Sequence, residues 1–339
     1  MAQLTGAELK VALTWGLDHP VSADANALAG FLARALGPST VAVLHYGSRA
    51  QGRQPRADSA FDFFVVVDNY RAAYESLAAS VGTSYSAGLA TVLAHIMPPN
   101  VIAVTDPTPL RAKCCVISLA DFKRACSPRR KDHFVQGRLF QFVSLAWSRN
   151  DGTASEIRDA VAEARAATFT WGRPSLPERF TVDQYVHAVL ARSLDGEIRP
   201  EVGDHAKTLA EAQQDALRAI YAPLLQSLEA RGELVTEGVG PNDPATAHYR
   251  QRVPPTRFDR WRIRWYFQRS KARATARLLK HVVLYEGWLD YIVRKIERSG
   301  DTKMELTRRE QRWPMIFLWP RFFRYLRDRP QRRRSRDAD

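Results

Sequence analysis

The sequence predicts an α+β fold, in which a mixed sheet with flanking helices is followed by a helical domain and a basic amphipathic helical tail. Two observations support this prediction. Short apolar segments rich in β-formers are confined to the first third of the chain, and periodic helical patterns fill most of the rest. The chain has 339 residues, enough for two domains or for one domain with a long extension.

The strand and helix patterns follow one another in a definite order. Two helices are expected within residues 6–35, the second capped by Ser22 or Asp24, and Asp68 or Asn69 is the expected cap of a later helix. Strands are predicted at residues 41–46, 61–67, 101–104 and 114–118. Further helices are predicted at residues 70–79, 119–126, 132–148, 155–168, 181–192, 205–230, 259–299 and 313–327. The 61–67 run is almost continuously apolar, which predicts a strand buried on both faces.

These elements indicate four regions. Residues 1–130 form the strand-containing domain and residues 131–235 a helical domain. Residues 236–258, rich in Gly and Pro, are the predicted linker. Residues 259–339 form the helical tail, with a disordered, Arg-rich end.

Positive charge is concentrated in the tail. The chain holds 50 Lys and Arg against 36 Asp and Glu, a net charge of +14. Residues 250–339 hold 26 basic against 10 acidic residues, whereas residues 1–249 hold 24 against 26. The tail is therefore where an anionic partner is expected, and both nucleic acid and an anionic membrane fit.

Cysteine usage and hydropathy narrow the class of protein. Cys114, Cys115 and Cys126 make no disulfide framework and have no His cluster at zinc-ligand spacing, which favours a reducing, intracellular setting. The first twenty residues have the pattern of neither a signal peptide nor a transit sequence. No apolar run approaches the roughly 20 residues that span a bilayer. We therefore expect a soluble or peripheral protein.

The chemistry-bearing motif is a Gly-Ser turn followed by an acidic strand. Gly47-Ser48 follows the first predicted strand, and Asp62 lies in the second. Transfer of a nucleotidyl group requires a triphosphate to be held beside Mg²⁺. A glycine lets the backbone approach phosphate oxygens, Ser48 offers a hydroxyl and an N–H, and a carboxylate on the next strand can hold the metal. This arrangement predicts a nucleotidyltransferase-like sheet, with catalysis by positioning and charge neutralisation.

A second metal ligand is not evident from the motif. Nucleotidyltransferases generally have Asp-x-Asp on this strand, but the earlier position here is Ala60. Asp68 lies on the same face as Asp62 but about 20 Å away along a strand, at roughly 3.3 Å per residue. The second ligand would then come from Asp58, Ser59, a third strand or the substrate. The alternative interpretation is a plain turn with a buried, hydrogen-bonded Asp62.

The motif and four later segments resemble the mitochondrial-type phosphatidate cytidylyltransferases, also called translocator assembly and maintenance proteins. The similarity covers roughly residues 40–230, and the family also has an apolar residue at the position of Ala60. The departures are Arg49, where the family has Gly, and a loosely kept Gly- and Tyr-rich segment near residue 85. The similar segments are Tyr46-Gly47-Ser48 with Phe61-Asp62-Phe63 through Val67-Asp68-Asn69, Lys113-Cys114-Cys115-Val116-Ile117-Ser118, Gln136-Gly137-Arg138-Leu139, Gly196-Glu197-Ile198-Arg199 with Val202-Gly203-Asp204-His205, and Tyr221 to Leu225.

The resemblance implies a reaction and roles for particular residues. CTP and phosphatidate would give CDP-diacylglycerol and pyrophosphate with Mg²⁺, for phosphatidylglycerol and cardiolipin synthesis. Gly47 and Ser48 would hold the triphosphate, Asp62 the metal, and Lys113 would neutralise phosphate charge. Further phosphate contacts would come from Arg138 and Arg199. On the residues alone, Lys113 is equally well a solvated charge, and each arginine could instead pair with an acidic neighbour.

The tail has the composition of a membrane-contacting segment. Residues 261–267 interleave aromatic residues with Arg, residues 276–293 have a wide apolar face near Arg273, Arg277 and Lys280, and residues 313–327 are aromatic-rich. Basic residues favour an anionic surface and buried apolar faces add to the binding. The alternative is that the 276–293 helix packs into the body as core.

Three functions remain open at this stage. The favoured one is a peripheral cytidylyltransferase on the cytoplasmic face of a bacterial inner membrane, with CTP, phosphatidate and the anionic membrane as partners. The second keeps the fold but uses RNA or a small metabolite as acceptor, although nucleic acid is the less favoured partner of the tail. The third, suggested by Ala60, is an inactive nucleotide- or lipid-binding relative.

Overall fold

The protein is described by a computed structural model that covers residues 5–51, 60–106, 108, 110–196, 205–237 and 247–284. All of these residues belong to one compact unit that ends at Leu284. The predicted helix at 313–327 and the Arg-rich end lie outside the described residues.

The centre of this unit is a five-stranded mixed sheet. Its strands, in the order β3-β4-β2-β1-β5, are antiparallel except for the parallel pair β2 and β4. The predicted α+β class with a mixed sheet and flanking helices is thereby confirmed. The strands are β1 (Thr40–Tyr46), β2 (Phe61–Val67), β3 (Asn100–Thr105), β4 (Arg111–Ser118) and β5 (Ser144–Ser148).

Helices cover both faces of the sheet, because β2 is apolar on both. Phe61, Phe63 and Val65 pack in one cluster with residues of the helices that precede β1 and follow β2, whereas Phe64 and Val66 pack in another with later helices. The first layer comprises α2 (Ala23–Ala35), α3 (Tyr70–Val81) and α4 (Ala87–Ile96). The second comprises α5 (Leu119–Cys126), α6 (Gln136–Leu139) and α7 (Asp151–Ala166).

Helix starts follow the expected capping chemistry. Ser22, one of the two expected caps, accepts a hydrogen bond from the backbone N–H of Ala25 at the start of α2. Asn69 caps α3 in the same way through Ala72. Asp68, the other expected cap, is therefore not the N-cap of α3.

A smaller core lies around a second sheet of three short strands. Trp171, Tyr185 and Tyr221 are among its largest buried side chains. The strands, in the order β6-β8-β7, are β6 (Arg179–Phe180), β7 (Leu234–Glu237) and β8 (His248–Gln251). The helices contributing to this core include α1 (Gly6–Leu13), α8 (Thr168–Gly172), α9 (Val182–Asp195), α10 (His205–Ala212) and α11 (Gln214–Ala230).

Two sequence predictions need correction. The helix predicted at 132–148 is only the single turn α6, and residues 144–148 form β5 instead. This segment becomes a strand because it hydrogen-bonds to the second edge of β1, with Ser144 opposite His45 and Ser148 opposite Ala42. In addition, the boundaries predicted near residues 130 and 235 do not separate compact units, since β5 joins the main sheet and β8 lies inside the predicted linker.

The last described element is the long helix α12 (Arg257–Leu284). It corresponds to the first part of the helix predicted at 259–299, and residues 285–299 lie outside the described residues. Ile263, Phe267 and Ser270 are buried, and Leu284 packs into the first core cluster. The described part of α12 is thus packed against the body, and for residues 276–284 this agrees with the alternative interpretation of the 276–293 helix. Within the described ranges, no helix combines the length and the hydropathy that crossing a bilayer requires.

Candidate nucleotide-binding site

The predicted Gly-Ser turn is a tight turn directly after β1. Tyr46 ends the strand, and Gly47 has φ +85°, a conformation that favours glycine. The N–H of Gln51 donates to the carbonyl of Gly47 at 3.1 Å, which closes the turn with Ser48 inside it. A tight turn with a glycine at positive φ is a conformation in which backbone N–H groups can approach a phosphate closely.

Asp62 lies directly against this turn. It pairs with Tyr46 on β1 and with Lys113 on β4, so the three residues form a row across adjacent strands. A Cβ atom added to Gly47 would be only 2.6 Å from Oδ2 of Asp62. The missing side chain at Gly47 is thus what allows the carboxylate to lie against the turn.

Lys113 accompanies the carboxylate without forming a tight ion pair. Its Nζ lies 4.0 Å from Oδ1 of Asp62, and the side chains are 39% and 28% exposed respectively. This separation is too long for a hydrogen bond, and the exposure leaves both groups open to a ligand. The pair places one positive and one negative charge at the same end of the sheet.

A buried polar pair lies on the same sheet face as Asp62. The hydroxyl of Tyr46 and the thiol of Cys115 are 3.2 Å apart. Burial raises the pKa of Tyr46 well above its usual value, and Cys115 and Asp62 raise it further. Burial likewise raises the pKa of Cys115. Both groups are therefore neutral, which is compatible with a role in shaping the site rather than in proton transfer.

Arg138 comes to this face from α6. Its positive charge opposes the rise in the pKa of both Tyr46 and Cys115. Its Nη1 donates to the carbonyl of Phe134 at 2.6 Å, and its guanidinium lies 3.8 Å from the centroid of the Phe134 ring. The side chain is thus held against Phe134, in the turn that precedes α6.

Arg49 is held at the turn by an aromatic ring. Its guanidinium lies 4.3 Å from the centroid of Phe61, a cation–π geometry. Arg53 and Arg56, two further arginines after this turn, lie outside the described residues.

Asp68 is excluded as a partner of Asp62 for one metal ion. It follows the opposite end of β2, and Arg149 donates to its Oδ2 at 2.9 Å. Asp58 and Ser59 lie outside the described residues. Across the part of the chain that the structure describes, no three His, Cys, Asp or Glu side chains form a group that could hold a metal.

Of the predicted site residues, five lie in described segments, and four of these belong to one end of the sheet. Gly47, Ser48, Asp62 and Lys113 are contiguous, and Arg138 approaches from the helix layer. Arg199 lies outside the described residues. Sequence reasoning missed Phe134 as the support of Arg138, and an aromatic residue four positions before an arginine in a helical turn is the signal that could have indicated it.

Neither a scan against models of known protein families nor a search of curated proteins finds a match for this chain.

Proposed function

We propose that this protein is a CTP:phosphatidate cytidylyltransferase that makes CDP-diacylglycerol and pyrophosphate at a membrane surface. The observation that carries the proposal is the contact between the Gly47 turn and the Asp62 carboxylate, with Lys113 beside it. A backbone turn, a carboxylate and a cation at one sheet end are the components that a triphosphate and its metal ion require.

The proposed reaction is an in-line substitution at the α-phosphorus of CTP. A phosphate oxygen of phosphatidate forms the new P–O bond, and the bond from the α-phosphorus to the bridging oxygen breaks as pyrophosphate leaves. The turn at Gly47 and Ser48 orients the triphosphate, and Lys113 and Arg138 offset negative charge on the phosphates. No residue needs to act as a base, because the attacking phosphate oxygen is already ionised.

The site also fits the Mg²⁺ that the resemblance implies. Mg²⁺ is commonly held by one or two carboxylates together with substrate phosphate oxygens and water. Asp62 offers one half-exposed carboxylate beside the turn, so it would hold the ion together with the triphosphate. When bound, the ion would neutralise charge on the leaving pyrophosphate.

An exposed aromatic stripe on α12 supports the membrane part of the proposal. Phe258, Trp261 and Trp265, spaced i, i+3 and i+7, share one helix face and are 63%, 58% and 62% exposed. The buried residues of α12 lie on the opposite face. Exposed arginines flank the stripe at positions 257, 262, 264 and 269. Amphipathic aromatic rings with flanking arginines favour the interface of an anionic bilayer.

The test is pyrophosphate release by the full-length chain from CTP and Mg²⁺, with and without phosphatidate vesicles. Release that depends on phosphatidate, with CDP-diacylglycerol as the lipid product, is the expected result. Bound CTP with no release in the presence of phosphatidate would overturn the proposal. Parallel reactions with RNA in place of vesicles would then identify a nucleic-acid acceptor.

A further inference from the structure

A glutamine after α6 is hydrogen-bonded to the turn at Gly47. Gln51 closes this turn with its backbone N–H, which donates to the carbonyl of Gly47 at 3.1 Å. The side chain of Gln51 continues the link, because its Nε2 donates to Oε1 of Gln141 at 3.2 Å. Gln141 lies 90 residues later in the chain, just after α6. The residue that closes the turn is therefore also the residue that attaches it to a distant segment.

Gln141 is itself held through both its side chain and its backbone. Its Nε2 donates to the carbonyl of Gly137 at 3.0 Å, and its Oε1 accepts a second hydrogen bond, from Nε2 of Gln213 at 3.3 Å. The backbone carbonyl of Gln141 accepts from Nη2 of Arg165 at 2.9 Å. Both ends of the amide group of Gln141 thus have partners, so its surroundings determine its orientation.

Backbone groups fix which way the glutamine amides point. The N–H of Phe142 donates to Oε1 of Gln213 at 3.0 Å, so the amide nitrogen of Gln213 is directed to Gln141. The carbonyl of Gly137 in turn requires the nitrogen of Gln141, which leaves its oxygen for Gln51 and Gln213. Gln213 is buried, so a rotation of its side chain would break hydrogen bonds away from water. The turn is therefore the donor and Gln141 the acceptor in the contact between them.

A fully buried arginine anchors this network. Arg165 donates to four backbone carbonyls, those of Leu13, Trp15, Leu139 and Gln141. The first two lie at and just after the end of α1, and the last two at and just after the end of α6. Displacing Arg165 would leave a buried charge without its hydrogen bonds, which is costly. Gln141 is thus attached to a fixed part of the fold.

We infer that Gln141 is a positioning residue of the candidate site, which holds the Gly47 turn in place through Gln51. Asp62 lies against the turn from β2, whereas Gln141 holds it from the segment after α6. A turn that is fixed before the ligand arrives has its backbone N–H groups oriented in advance, so less conformational freedom is lost on binding. The inference rests on the proposed function for the identity of that ligand, a nucleoside triphosphate.

The first test is amide hydrogen exchange of residues 47–51 in the full-length chain without any ligand. Gln141→Leu removes the acceptor of the Gln51 side chain, so exchange in this segment should become roughly three- to tenfold faster. The matched control is Gln251→Leu, because Gln251 is a buried glutamine on β8 that forms two hydrogen bonds with Arg173. It should leave exchange at the turn unchanged. Unchanged exchange in Gln141→Leu, or equal acceleration in the control, would overturn the inference.

The second test is CTP affinity in a double-mutant cycle of Gln51→Leu and Gln141→Leu, measured by titration in the presence of Mg²⁺. Each single variant should raise the Kd for CTP roughly three- to tenfold. The double variant should raise it no further than the larger single effect, because both changes remove one contact. Gln251→Leu should keep the native Kd. A lowered Tm with an unchanged Kd in the single variants would assign Gln141 to stability alone and overturn the inference. A fold-change in the double variant equal to the product of the single ones would do the same.

The two tests separate this inference from the proposed function. A native chain that neither binds CTP nor releases pyrophosphate would overturn the proposed function. The exchange rates of residues 47–51 would still decide whether Gln141 holds the turn, since they need no ligand. Gln51→Leu removes the same contact from the half-buried side of the turn, so it gives the exchange result if Gln141→Leu does not fold.

Discussion

Gly47 and Asp62 are matched to each other across two strands: the carboxylate of Asp62 occupies the space that a side chain at Gly47 would need. The separation of 2.6 Å between Oδ2 and an added Cβ leaves no room for even a methyl group. The turn and the carboxylate are therefore one structural unit, and changing either residue should disturb the other.

Gly47→Ala tests this unit directly. The positive φ and the clash with Asp62 should together lower the free energy of unfolding by about 1–3 kcal/mol and weaken CTP binding. Chemical denaturation and CTP titration measure the two effects. Gly88→Ala is the control, because a Cβ at Gly88 in α4 meets nothing within 4 Å and alanine favours helix. Equal changes in unfolding free energy and CTP affinity in the two variants would contradict the coupling between the Gly47 turn and Asp62.

Asp62→Asn should abolish pyrophosphate release while leaving the fold intact. The amide keeps the size of the side chain but removes the charge that would hold the metal, so we expect a loss of roughly 100-fold or more in kcat. Asp68→Asn provides the matched control directly after the same strand, since Asp68 is half-exposed and pairs with Arg149. That variant should retain activity, with a stability change of about 1 kcal/mol or less. Similar losses in both would argue against Asp62 as the metal ligand.

The free energy of unfolding should decrease as the pH is lowered, because of His45. Burial, aided by Arg49, lowers the pKa of His45 to about 4 from its usual 6.5, and its Nε2 has no partner among the described residues. The unfolded chain therefore takes up this proton at higher pH than the folded chain. The contribution of neutral His45 to the free energy of unfolding is fully present above about pH 6.5. It is lost as the pH falls towards 4, by about 3 kcal/mol in all.

Urea denaturation across this range measures the effect of His45. His45→Leu should remove most of the slope of unfolding free energy against pH, whereas the exposed His187→Gln should keep it. A slope that survives in His45→Leu would assign the pH dependence to other groups.

Parts of this structure could be predicted from the sequence because their signals are local. β2 was predicted at its observed bounds, since six of its seven residues are Phe or Val and this signal needs no knowledge of distant residues. β5 was missed because Ser144–Ser148 is a strand only by virtue of the open edge of β1. The burial of Arg277 could not be predicted from the sequence either, because it depends on Asp132, 145 residues earlier in the chain.

The three cysteines should be inert in the native protein. Cys114, Cys115 and Cys126 are buried, and burial raises the pKa of each thiol. Because the thiolate is the reactive form, a thiol reagent near pH 8 should modify none of them in the folded chain and all of them in denaturant. Rapid modification of any cysteine before unfolding would show that this core opens locally.

Membrane binding should depend on the exposed stripe of α12. The double variant Trp261→Ala with Trp265→Ala should weaken binding to phosphatidate-containing vesicles roughly tenfold or more, because two large apolar contacts are lost. Vesicle co-sedimentation measures the affinity. Val11→Ser on α1 changes another exposed apolar residue and should have no effect. Binding that is unchanged in the double variant would place the membrane contact elsewhere on the chain.

The position of α12 also has a consequence for biosynthesis. Lys280 is bonded to the carbonyl of Leu93, 187 residues earlier, at the end of α4 and beside the edge strand of the sheet. A chain leaving the ribosome N-terminus first cannot form this contact until nearly all of the described residues have been translated. Until then, the edge strand β3 and the end of α4 lack the contacts of α12. A polypeptide truncated before residue 257 would lack α12 and would never form them.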